Sequence, residues 1–242
     1  MNLSLFGNPF RPLPVCECRK RRFEQEQREL QLSKKRDKVK SLYGDGLIDD
    51  ELKRASFSSF EVRPGTEEAY QMAKRFVSNF SNQTFGLYMF GPVGTGKSHL
   101  AASIHKELLK QGCSSVYIDV TQLFGLAKSS FNRQSKKTDQ DYIQAAIKCD
   151  LLTLDEIGLS PLSEYEFKML FQILNGRKGK LTNFTSNLDL NQLESWFQRD
   201  KHGNMLDEHG RLFDRLLGSS QPVRVATDSY RKYKAMQRLG AV

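Results

Sequence analysis

Three stretches carry residue types at spacings suited to phosphate chemistry. The first is "MFGPVGTGKSH", residues 89–99, where Gly91, Gly96, Lys97 and Ser98 fit the pattern G-x-x-x-x-G-K-[ST]. Glycines there let backbone N–H groups converge on phosphate oxygens, and a following helix N-terminus adds partial positive charge. The candidate nucleotide-binding residues are Gly91, Pro92, Val93, Gly94, Thr95, Gly96, Lys97, Ser98 and His99. Lys97 can reach the β- and γ-phosphates, and the Ser98 hydroxyl can ligate Mg²⁺. The second stretch, "CDLLTLDEIG", ends an apolar run in Asp155 and Glu156. Asp155 is placed to hold Mg²⁺; Glu156 is then available to polarise a water, which points to hydrolysis. The third, "LTNFTSNLDL", puts Asn187 at a strand end, either to sense a γ-phosphate or to serve as a helix cap or turn residue. ATP and Mg²⁺ are the expected cofactors.

These residues need a sheet and helices to bring them together. "FGLYMF" before the glycine loop has strand character, and Leu100, Ile104 and Leu108 after it recur at helical spacing. Strands are expected at 86–91, 115–120, 150–155, 181–186 and 222–226. Helices are expected at 97–111, 121–131, 139–148, 163–176, 189–199, 205–217 and 228–238, with a further helix starting at Thr66-Glu67-Glu68. This alternation predicts an α/β fold, a parallel sheet covered by helices on both faces. Ahead of it, residues 1–14 hold three of the seven prolines and read as extended. Residues 16–42 are charged, contain neither Pro nor Gly, and read as a helix or helical arm without a heptad. Glycines in "YGDGLIDDE" mark a break before residue 54, so residues 1–53 are expected to form an arm and residues 54–242 the globular domain.

The 242-residue chain has room for one such core and an appendage. A formal charge of +9 favours a polyanionic partner. No apolar run approaches membrane-spanning length, and the N-terminus lacks the continuous apolar segment of a signal peptide. Cys16, Cys18, Cys113 and Cys149 do not look like a disulfide framework, so a reducing cytoplasm is the expected setting. Zinc is not expected: Cys16 and Cys18 lack further Cys or His partners in the first ninety residues.

Two more stretches bear on partners. In "EHGRLFDRLLG", Arg211 and Arg215 share a helix face; they are either arginine fingers for a neighbouring subunit or surface charges near Asp207 and Asp214. In "AKSSFNRQSKK" and "SPLSEYEF", Phe131, Arg133, Ser163 and Tyr165 combine aromatic, cationic and hydroxyl groups suited to single-stranded DNA, although Phe131 and Tyr165 also suit a core.

The set "GPVGTGKSHLA", "LLTLDEIG", "TSNL", "GRLFDRLLG" and "DSYR" resembles the AAA+ ATPases of the DnaC/IstB group, in particular bacterial and phage replicative helicase loaders. The resemblance spans roughly residues 54–242. It implies a P-loop AAA+ core without a separate lid domain, and an N-terminal arm that grips the helicase. It implies Asn187 as the first sensor, Arg215 as the arginine finger with Arg211 close by, and Arg231 as the second sensor. It implies ATP hydrolysis, self-association through ATP sites, single-stranded DNA held by the face carrying Phe131, Arg133, Ser163 and Tyr165, and a replicative hexameric helicase as partner. Two other readings remain: an IstB-like transposition helper acting on duplex DNA, and a non-catalytic ATP-binding adaptor. A small-molecule kinase gives the two arginines and the acid pair no role.

Overall fold

The computed structural model describes residues 4–5, 8–9, 16–44, 48–130 and 137–239. Its centre is a five-stranded sheet of β3 (Gly86–Phe90), β4 (Ser115–Asp119), β5 (Leu151–Ile157), β6 (Leu181–Ser186) and β7 (Ser220–Arg224), in the order β4-β5-β6-β3-β7. Every pairing in it is parallel. Strands β3, β4 and β5 are buried along most of their length, which is why they read as largely apolar runs. Short β1 (Ser4–Leu5) and β2 (Asn8–Pro9) pair antiparallel apart from this sheet.

Two apolar clusters sandwich the sheet. On one face, α3 (Glu67–Ser78) and α4 (Lys97–Lys110) bury Ala73, Phe76, Leu100, Ile104 and Leu108 against Leu87, Met89 and Val223. The other face is covered by α5 (Val120–Ser129), α6 (Asp139–Lys148), α7 (Glu164–Gly176), α8 (Leu190–Gln198) and α9 (Arg211–Ser219). Helix α10 (Tyr230–Arg238) follows β7. Capping boxes at Thr138, Ser163 and Asp189 satisfy the first N–H groups of α6, α7 and α8 and fix where they begin.

One expected helix starts late. The 205–217 segment is helical only from Arg211, because Asp207 is buried and accepts a 2.7 Å hydrogen bond from the Leu212 N–H. Residues before it form a turn instead, with Arg199 bridged to Met205. Asp207 is therefore a helix-capping group and not a surface partner for the arginines. The cysteine reading also differs at one place: Cys16 and Cys18 are joined as a disulfide, while Cys113 and Cys149 are free.

The arm helix α1 (Glu17–Tyr43) is not detached from the core. Residues 17–32 are exposed, but Val39, Leu42 and Tyr43 are buried against the sheet's α6 edge. The Tyr43 hydroxyl donates to the Tyr142 carbonyl at 2.7 Å, Lys35 pairs with Asp150, and Arg36 reaches the Gly112 carbonyl at 2.8 Å. Ile48 and Ala55, on either side of the short α2 (Asp50–Lys53), belong to the α4-side cluster. The packing boundary thus falls inside α1, near residue 34. Among the described residues no helix is long and apolar enough to cross a membrane.

Arg177 closes the end of the sheet remote from the glycine loop. It is 2 % exposed, yet among the described residues no carboxylate is one of its hydrogen-bond partners. Its guanidinium donates to the Ala146 and Cys149 carbonyls at the end of α6, at 2.6 and 3.0 Å, to Thr182, and to the Leu181 carbonyl. The negative end of the α6 dipole takes the place of a counter-ion. Each buried carbonyl left unpaired costs about 1–3 kcal/mol. Arg177→Ala is expected to destabilise the fold by about 3 kcal/mol, a fall of roughly 10 °C in Tm for a chain of this size. Thermal denaturation followed by circular dichroism checks this; an unchanged Tm contradicts it.

Candidate functional site

The glycine loop joins β3 to α4, as its motif requires. Gly91, Gly94 and Gly96 have φ of 144°, 79° and 98°, values that side-chain-bearing residues rarely adopt. A Cβ on Gly94 would lie 2.3 Å from the Ser229 hydroxyl, and one on Gly96 2.6 Å from the Phe60 ring. The loop is thus a cradle that only glycine leaves open. The Lys97 ammonium donates to the Gly91 and Pro92 carbonyls at 2.8 and 2.7 Å. Burial pulls its pKa down to about 8, against the opposing influence of Asp155 and Glu156.

Asp155 is the polar centre. It is 4 % exposed and accepts from hydroxyls on three other elements: Ser98 of α4 at 3.0 Å, Tyr117 of β4, and Thr185 of β6. Burial still raises its pKa above the usual carboxylate value. Burial, aggravated by Asp155 and Asp119, also raises Glu156. Burial beside Asp155 raises the Tyr117 phenol, which therefore stays a donor. Ser98 and Asp155 present hard oxygens side by side, a donor set suited to Mg²⁺ beside a phosphate.

Glu156 stands in a left-handed conformation, φ 58°, the one non-glycine residue with positive φ among those described. The cause is a bulge in β5. Leu154 pairs with Phe184 and Ile157 with Ser186, so Asp155 and Glu156 together face Thr185. The extra residue turns the Glu156 side chain outward into the cleft, while Asp155 stays buried.

That cleft, about 410 Å³, is lined by residues 93–99, Asp155, Glu156 and Asn187. Asn187 is exposed at its rim, and the cap of α8 is Asp189, so Asn187 is not a helix cap. Arg231 also lines it and pairs with Glu51 at 3.5 Å. His99 differs from its neighbours in the loop: its Nε2 lies 3.0 Å from the Ser56 carbonyl and its ring packs edge-on to Phe60. It fastens the cleft wall and also lines the cleft. Sequence reasoning missed this wall, formed by Leu52, Phe60, Glu61, Arg63 and Tyr230. The Tyr230 N–H donates to the Gly94 carbonyl at 2.8 Å, and Arg63 lies over the Tyr230 ring at 5.1 Å. Lys106 of α4 secures the same wall by donating to the Leu52 and Ala55 carbonyls. The aromatic residues Phe60 and Tyr230 were the available signal, but nothing local ties them to a loop more than thirty residues away.

The other candidates lie elsewhere. Arg211 is exposed at the first turn of α9. Arg215, one turn on, stacks over Phe171 at 5.2 Å and lines a separate hollow with Lys178 and Ser219. Neither lines the cleft of its own chain. The Ser163 hydroxyl caps α7, and the Tyr165 hydroxyl donates to Asp139 at 3.3 Å with its ring against the core. Phe131 and Arg133 lie outside the described residues.

A left-handed backbone costs a non-glycine residue about 1–2 kcal/mol. Glu156→Gly is therefore expected to raise stability by about 1 kcal/mol, or about 2–4 °C in Tm, while removing the carboxylate from the cleft. Calorimetry checks it; a lowered Tm means the conformation is not strained.

Residues 52–238 match the family of IstB-like ATP binding proteins. The replicative helicase loader DnaC of Buchnera aphidicola subsp. Schizaphis graminum is 30% identical over 200 residues, covering 81% of this chain and 77% of that protein. That of Escherichia coli K12 is 32% identical over 180 residues, covering 73% and 69%. The solved structure of DnaI superposes with a TM-score of 0.61 at 27% identity, over 74% of this chain and 94% of that one. The DnaC helicase loader shares the fold, with a TM-score of 0.60 at 20% identity, over 73% of this chain and 99% of that one. With its P-loop, its acid pair at the end of β5 and its parallel sheet, the chain belongs to the IstB-like ATP-binding family, with the AAA+ core of the helicase loaders.

Proposed function

We propose that the chain is an ATP-dependent loader that holds a replicative hexameric helicase and delivers it to single-stranded DNA. One observation carries the reading: a cleft with an outward-turned glutamate belongs to the same core as the end of a long charged helix, whose first half is exposed. The names of the relatives support the same role. Bound ATP and Mg²⁺ supply the scissile phosphate bond and the charge that steadies it. Lys97 offers its ammonium to the phosphates in place of the Gly91 and Pro92 carbonyls. Ser98 and Asp155 are the proposed Mg²⁺ ligands, Glu156 polarises the attacking water, and Asn187 contacts the γ-phosphate or that water. Arg231 leaves Glu51 for the phosphates. Self-association brings Arg215 or Arg211 to a neighbouring copy's cleft; Arg211 is already exposed, whereas Arg215 must first leave Phe171. Single-stranded DNA is assigned to the face near Ser163 and Tyr165, with residues 16–34 as the helicase-binding arm. The family match also supports a second reading, a transposition helper on duplex DNA, which separates from the first by the partner recovered.

The arm is tested by truncation at the packing boundary. Removing residues 1–34 keeps Val39, Leu42 and Tyr43 in the core, whereas removal up to residue 53 strips them out. The shorter truncation is expected to retain nucleotide binding and lose capture of a purified replicative helicase in a pull-down. Undiminished capture places the helicase contact elsewhere and overturns the arm's role.

Lys97 sets a pH dependence. Its pKa in the free protein is about 8, so it is charged below that value and neutral above it. Phosphates need the charged form, so nucleotide affinity should fall as pH rises beyond about 8, by up to tenfold per pH unit for one linked proton. Titrating a fluorescent ATP analogue from pH 6.5 to 9.5 (roughly the window one proton linkage spans) should show this fall in wild type. A flat profile contradicts it.

A further inference from the structure

Thr185 opens the "TSNL" stretch but has no role assigned to it so far, yet it faces both acids. At the bulge, β6 offers a single residue where β5 has two, and that residue is Thr185. It is 1 % exposed. Its hydroxyl accepts the Glu156 N–H at 3.0 Å and donates to Asp155. One oxygen thus bridges the backbone of one acid and the carboxylate of the other. An extra strand residue ordinarily leaves its N–H without a ladder partner; here a side chain supplies the missing acceptor. The same strand ends in Ser186 and then Asn187, which lines the cleft.

We propose that Thr185 is a positioning residue for ATP hydrolysis: its hydroxyl fixes the left-handed backbone of Glu156 and so aims that carboxylate at the attacking water. The inference rests on the ATPase reading above. Glu156 has two features that require such a restraint. Its conformation is one that a glutamate adopts only where its surroundings impose it. Its side chain is exposed, so no packing of its own holds it. Thr185 is buried in the sheet and cannot swing away, and its χ1 is restricted as in any β-branched residue. Valine keeps that shape and loses both hydrogen bonds. Serine keeps the hydroxyl.

The test uses the full chain and compares wild type with Thr185→Val, Thr185→Ala, Thr185→Ser, Glu156→Gln and the Thr185→Val/Glu156→Gln double variant. Steady-state ATP turnover, the Kd of a fluorescent ATP analogue and thermal melts are measured for each. Outer contacts that orient a working group commonly matter by about 10–100-fold. Thr185→Val and Thr185→Ala should lower kcat by about that factor, leave the Kd within about threefold, and be rescued by Thr185→Ser. In the Glu156→Gln background, adding Thr185→Val should lower residual turnover no further, because both changes act through one carboxylate. Wild-type kcat in either hydroxyl-free variant, failure of serine to rescue, or a further loss in the double variant overturns the proposal. A weakened Kd with unchanged kcat assigns Thr185 to ground-state binding and overturns it as well. If Thr185→Val does not fold, Thr185→Ala and Thr185→Ser carry the comparison. No turnover by wild type is the separate failure, of the ATPase reading itself.

Discussion

One buried carboxylate organises the site. Asp155 sits at the end of the central strand pair and takes hydroxyls from α4, β4 and β6 at once. A charge this deeply buried persists only where it is paired or hydrogen-bonded. The three donors meet that demand, and in doing so they tie the glycine-loop helix to the sheet. The same demand accounts for the bulge: Asp155 must stay inside while its neighbour Glu156 must emerge, and one extra residue in β5 separates their directions.

The site is linked to the arm by ordinary packing. Helix α1 is anchored by Tyr43, Val39 and Leu42 beside β4, the strand that carries Tyr117 and leads into Asp119. The segment after α1 passes along the cleft wall, where Lys106 and His99 of α4 and Arg231 of α10 hold it. Exposed ion pairs such as Glu51–Arg231 contribute little stability. Asp49, Glu51 and Leu52 of that segment line the cleft itself.

Much of this was legible in the sequence. The five strands and the glycine loop announce themselves because each is a continuous stretch with its own apolar pattern and turn chemistry. The acid pair was legible for the same reason. What was not legible depends on contacts between distant segments. Arg177, in the polar stretch "NGRKGK", reads as surface charge, and only the fold reveals that the α6 carbonyls enclose it. Asp207 reads as a helix residue, and its buried bond to Leu212 shows why the helix starts later. The bulge leaves no trace in "LDEIG", because register belongs to a strand pair and not to either strand. The packing of the end of α1 on the core was not legible either, because Val39, Leu42 and Tyr43 are too few to disturb a charged pattern.

In the function proposed, ATP and this protein together place a helicase on DNA. It is tested most directly with closed circular single-stranded DNA, which has no end for a ring to thread. A purified replicative helicase is incubated with the circle and ATP, with or without this protein, and helicase retained on DNA is measured after gel filtration. Retention is expected to require both ATP and an intact Lys97. Retention that is the same with the protein left out contradicts it.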